Sequence, residues 1–105
     1  MVVVSIADES HFFGSVRRCR SCGQNYASIF CETVDWVDSD DPQYQLLIPV
    51  TATEVRSLAE AGEYDVEAAL EDLSPERYLF SGRGKGEIEW SKHWARGQVT
   101  VPRHD

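Results

Sequence analysis

No run of apolar residues in this sequence approaches the ~20 that a membrane-spanning helix requires, so a helical membrane protein is not expected. The make-up of a secretory signal, a basic start followed by a longer apolar stretch, is missing as well. Residues 1–6 are apolar, but Asp8 and Glu9 follow at once. A cytoplasmic location is expected on these grounds. The three cysteines, Cys19, Cys22 and Cys31, are an odd number. A secreted disulfide framework normally uses an even count, so reduced thiols are expected. The chain has no internal repeat and no Gly/Ser- or Pro-rich linker. No serine or cysteine has an assignable base, so no nucleophilic triad can be argued.

Basic residues are scarce where acids are dense. Residues 1–31 carry net +1, residues 32–76 carry thirteen acids against Arg56, and residues 77–105 carry net +3. The total is −8, concentrated in the middle of the chain. Such a field repels phosphate backbones and attracts cationic surfaces. Direct nucleic-acid binding is therefore not expected, and a basic protein partner is. The plain alternative is that the acidity serves solubility.

What is present is the composition of a globular domain. At 42% hydrophobic and 27% charged over 105 residues, the chain reads as one domain spanning residues 1–105. It is long enough for one modest core. Residues 1–7 are rich in β-branched side chains and read as a strand. Residues 8–14 read as a loop, and residues 16–24 as a basic, cysteine-bearing segment with a turn at Cys22-Gly23. Residues 25–37, with Tyr26, Ile29, Phe30, Val34 and Trp36 and no Pro or Gly, read as a long strand. The turn Asp38-Ser39-Asp40-Asp41-Pro42 leads into a partner strand over residues 43–50, and an antiparallel hairpin is the natural pairing.

Thr51 and Glu54 have capping-box spacing. A helix over residues 52–61, stopped by Gly62, is predicted, then a second over residues 66–73 behind a cap at Asp65. Residues 78–80 and 87–90 read as short strands around a glycine-rich turn. The fold class expected is α+β: an antiparallel sheet of three to five strands with two helices packed on one face. The tail, residues 91–105, gives no clear assignment.

Two constellations carry chemistry. Cys19-Arg20-Ser21-Cys22-Gly23 has the spacing of half a zinc knuckle, since two thiolates separated by two residues can turn onto one tetrahedral ion. A structural zinc needs two more ligands. Cys31, His11, His93 and His104 are available, though none sits at the spacing of a second pair. The cofactor expectation is none, or one structural zinc. The plain alternative is a turn with two small buried thiols. The second constellation is the acid cluster Glu32, Asp35, Asp38, Asp40 and Asp41, flanked by Trp36 and Tyr44. It lacks the glycine of a calcium-binding EF-hand loop. It reads as a rim of negative charge around aromatic anchors on a protein interface, or else as a solvated turn. Gly82-Arg83-Gly84-Lys85-Gly86 is too short for a phosphate-binding P-loop and lacks its Ser/Thr, so it reads as a hairpin turn.

The string Cys19-x-x-Cys22-Gly23-Gln24-x-Tyr26, followed by Asp35-Trp36-x-Asp38-x-Asp40-Asp41-Pro42-Gln43-Tyr44 and Ile48-Pro49-Val50, resembles a group of small bacterial proteins over about residues 17–50. More loosely, in size and charge, the chain is similar to bacterial toxin-immunity proteins. That resemblance implies an inhibitor that masks the active site of a basic toxin such as a nuclease domain, and no enzymatic activity. The other expectation is a zinc-stabilised adaptor or regulatory protein built on Cys19 and Cys22.

Overall fold

Alternation of burial along the strands shows why this sequence folds as it does. In β3 (Asn25–Glu32), Ala27, Ile29 and Cys31 are buried, and in β4 (Gln43–Val50), Leu46, Ile48 and Val50 are buried. A period of two with one side buried is the signature of a sheet covered on a single face. The computed structural model describes the whole chain except Met1, Ser10, Arg103, Asp105 and the side chains of Glu63 and Tyr64. The other strands are β1 (Val2–Glu9), β2 (Phe12–Arg18), β5 (Tyr78–Arg83) and β6 (Ser91–Ala95). All six pair antiparallel with their sequence neighbours in the order β1-β2-β3-β4-β5-β6.

The one departure from a plain meander is α1 (Ala52–Glu71), inserted between β4 and β5. It begins as the sequence predicts. The Thr51 side chain accepts from the Glu54 N–H, and the Glu54 carboxylate accepts from the Thr51 N–H at 2.8 Å, so two orphan donors of the first turn are satisfied. Gly62, at φ 73°, ψ 175°, is non-helical and stops the first helical segment as expected, since glycine carries no Cβ penalty at positive φ. The second segment follows directly, so only its start is corrected: Asp65 lies inside that segment and is not its cap. The helix ends at Glu71, and Leu73 is buried beyond it.

Leu58, Val66 and Leu70 from α1, with Leu73, lie against the buried side of the sheet. Each such leucine contributes on the order of 2 kcal/mol by leaving water. The tail completes the layer. Val99 and Val101 are buried, and the tail is tied to the helix end by Gln98 Nε2 donating to the Glu71 carbonyl at 3.1 Å. Tyr78 Oη accepts from the Thr100 N–H at 3.3 Å.

Three expectations are corrected. The sheet has six strands, not three to five. Residues 12–18 form a strand, because Phe12 and Val16 point into the core while Phe13 and Arg17 point out. Residues 33–37 and 87–90 are not strands: β3 stops at Glu32, and the last strand starts at Ser91. The predicted α+β class holds, with both helical halves on one face. Among the described residues, no helix is long and apolar enough to cross a membrane.

Candidate functional site

The ends of β3 and β5 lie beside each other, two strands apart across β4. The β3–β4 loop (33–42) and the β5–β6 loop (84–90) therefore project from the same end of the sheet. The first loop holds Asp35, Asp38, Asp40 and Asp41, and the second holds Lys85, with Arg83 at its root. Opposite charges on neighbouring loops pair. Arg83 Nη1 lies 2.7 Å from Asp40 Oδ1, and Lys85 Nζ lies 3.0 Å from Asp38 Oδ2 and 3.2 Å from Asp35 Oδ2.

Backbone groups complete the network. Asp40 Oδ2 accepts from the Gly86 N–H at 2.7 Å. Arg83 donates to the carbonyls of Asp41 (2.8 Å), Glu87 (2.7 Å) and Gly84 (3.3 Å). Asp35 folds its own loop: Oδ1 accepts from the N–H groups of Val37 and Asp38, and its own N–H donates to Asp41 Oδ1 at 2.7 Å. Its side chain is only 9% exposed. This is a local turn of the kind short acidic side chains stabilise, stapled to a second loop by charge-assisted bonds.

What this scaffold presents is apolar. Trp36 is 89% exposed, Val37 86% and Ile88 94%. Large apolar side chains held that far into water on ordered loops mark a contact surface more often than a packing accident.

Of the sequence candidates, Asp35, Trp36, Asp38, Asp40 and Asp41 are thus brought together in one loop. Three of the four carboxylates face Arg83 and Lys85, so they hold the loops in place as well as supplying charge. Counting Glu87 and Glu89, the two loops with Arg83 still carry net −4. Glu32 and Tyr44 lie at the base of the two loops, on the strands themselves. Glu32 sits at the end of β3, accepting from Gln43 Nε2 at 2.7 Å and paired with His11 Nδ1 at 3.1 Å. Tyr44 is on the covered side of the sheet, its ring over Gly82 and 5.6 Å from Phe80. Sequence reasoning missed Arg83, Lys85, Val37 and Ile88. The available signal was a basic glycine-rich turn of the right length to meet an acidic one.

The network fixes the pH response. Asp40 is held below the usual carboxylate range by the Gly86 N–H and then Arg83, Asp35 by the Asp38 N–H and then Lys85, and Glu32 by Gln43 and then His11. Lys85 is pushed up by Asp38 and Asp35. Lowered carboxyl groups contribute stability that is complete above their ordinary values, about 4, and is lost as the pH falls into the lowered range. A raised lysine contributes below its ordinary value, about 10.4, and loses that contribution above it. The urea midpoint is therefore expected to be flat between about pH 5 and 8 and to fall on both sides, the alkaline fall beginning where the Cys31 thiol, raised by burial in the fold, ionises in the unfolded chain. Asp40→Asn should flatten the acid limb. An unchanged acid limb in that variant would contradict the assignment.

The metal candidates are dispersed. Among the described residues, no three His, Cys, Asp or Glu side chains are arranged to hold one ion. Cys31 is buried in the core, and burial, then Glu67, pushes its thiol up to about 12. His11 is engaged by Glu32. His104 Nε2 lies 3.2 Å from Glu67, with its ring stacked on Phe12 at 4.3 Å. Cys31, His11 and His104 thus lie by the Glu32 end of β3, and the Cys19/Cys22 turn lies at its Asn25 end. His93 packs against Phe80, 5.2 Å between ring centres. Cys22 is exposed and Cys19 half-buried in the β2–β3 turn, so the thiols are not the buried pair of the plain reading.

Fold and site together define an α+β domain: a six-stranded antiparallel meander, covered on one face by a kinked helix, with two ion-paired loops at one end. No family model, curated protein or solved structure matches the chain.

Proposed function

We propose that this chain is a protein-binding domain of the immunity or inhibitor type, not an enzyme, and that it docks on a basic protein through its two-loop tip. The observation that carries this reading is the nearly complete exposure of Trp36, Val37 and Ile88 on loops immobilised by Arg83 and Lys85. Rigid aromatic and aliphatic anchors lose little entropy on binding and dominate interface energetics. The residual charge of −4 around them raises the rate of encounter with a cationic surface and disfavours anionic ones. A toxin nuclease domain, whose active site must hold phosphate, is a surface of that kind, and cytoplasmic action fits reduced thiols.

Purified cationic nuclease domains, titrated calorimetrically with the chain at low and at high ionic strength, test the proposal. A complex that weakens with salt and slows the nuclease is expected. Trp36→Ala should lower affinity by about 2 kcal/mol, roughly thirtyfold. It should leave the melting temperature unchanged, because so exposed a ring contributes nothing to the core. No complex at low ionic strength, or full-strength binding by both Trp36→Ala and Ile88→Ala, would remove the idea.

A further inference from the structure

At the opposite end of β3 from the tip, the β2–β3 turn is shaped around its two cysteines. Cys19 closes the hairpin by donating its N–H to the Gln24 carbonyl at 2.9 Å, and its own carbonyl accepts from the Gly23 N–H at 2.9 Å. Gly23 sits at φ 74°, where a side chain would be strained. The turn thus sets Cys19, half-buried, and Cys22, exposed, two residues apart on one tight reversal of the chain. Two cysteines at this spacing on a glycine-terminated turn have the make-up of half a tetrahedral zinc-thiolate site.

The other half is not supplied within the described chain. Cys31, His11, His93 and His104 are committed elsewhere, and no third ligand converges on the pair. The turn stands at the end of a hairpin with Cys22 exposed, so a second molecule can approach it. The local charge suits the product. Zinc with four thiolates carries two negative charges. Each copy brings exposed Arg17, Arg18 and Arg20, with no carboxylate between residues 10 and 31. Across the adjoining cleft of about 630 Å³ lie Glu54, which already caps α1, and Glu76.

We infer that two copies of this chain share one zinc ion, each contributing Cys19 and Cys22 from its β2–β3 turn. Four thiols release their protons to solvent as the four Zn–S bonds form, with no change of oxidation state. The β3 strand, eight residues or about 25 Å long, separates the metal from the loop tip, so both tips of the dimer remain free. Such a dimer would be bivalent toward a clustered partner.

The test uses the full-length reduced chain, titrated with Zn²⁺ and separately with Co²⁺. Tightly held zinc should reach one ion per two chains. Light scattering should report twice the 11.9 kDa chain mass, and the Co²⁺ form should show the intense thiolate charge-transfer bands of a four-sulfur site. Chelation or Cys22→Ser should return the monomer, whereas Cys31→Ala should leave the dimer intact. Trp36→Ala should also leave it intact, which separates this inference from the tip's role in binding. One zinc per monomer, a dimer indifferent to zinc, or no retained zinc would each overturn the inference.

Discussion

Gly82→Ala is expected to destabilise the protein by about 3 kcal/mol, a large share of the stability of a domain this size. Gly82 pairs with Tyr44 across β4 and β5, and both face the covered side of the sheet. A Cβ at position 82 would fall on the Tyr44 ring and lie 2.9 Å from the Gln43 carbonyl oxygen. The ring has little room to yield: Phe80 packs beside it at 5.6 Å, and the Tyr44 hydroxyl lies by Gly84. Urea denaturation measures the cost directly. In a Tyr44→Ala background the same change should cost less, because the ring is gone and only the Gln43 carbonyl contact remains. Equal costs in the two backgrounds would mean that the backbone, not the ring, resists the methyl group.

Arg83→Met comes next in size. The guanidinium ties the Asp41 and Glu87 carbonyls to one another and meets the Asp40 carboxylate. Methionine matches much of its length but donates nothing. Loss of the charged hydrogen bonds to the two loop carbonyls should cost about 2 kcal/mol in stability. The amides of Gly86 and Asp35 should lose protection in hydrogen exchange. If the tip binds as proposed, affinity should fall about tenfold without any contact being removed, since the loops must then be ordered on binding. Arg83→Lys should not restore it, because a single ammonium cannot span two carbonyls and a carboxylate as the planar fork does. Wild-type exchange rates in Arg83→Met would show that the loops are held by something else.

Both predictions concern a corner of the molecule that sequence reading took for an ordinary turn. Local signals fared well where the cause was local. The Thr51/Glu54 cap, the helix over 52–61 and the strand over 43–50 all depend on neighbours a few residues away. The second strand was illegible because Gly14 and the polar residues around it lower strand propensity, and the pairing with β3 overrides that preference. The reading of residues 33–37 as strand failed for a related reason. Val34 and Trp36 have strand propensity, but Asp35 captures the N–H groups of Val37 and Asp38 and turns the chain away from the sheet.

The negative charge of the chain's middle, too, takes on its meaning only in three dimensions. Segment 52–76 alone carries net −7 and belongs to the helix layer, where Glu60, Asp65, Glu67, Asp72 and Glu76 are exposed. The loop acids share that sign but not that role, since most are committed to Arg83 and Lys85.

Composition and short-range spacing were enough to set the α+β class, the acidic character, the start of the helix and the tight turn that carries Cys19 and Cys22, because each arises from local contacts. Folding decided the rest: which carboxylates are neutralised, that Trp36, Val37 and Ile88 stand in water on braced loops, and that, among the described residues, no third ligand groups with the two thiols. Those outcomes depend on which distant segments the six-stranded register sets side by side, as when Asp40 meets Gly86 forty-six positions on, and spacing along the chain carries no record of such meetings.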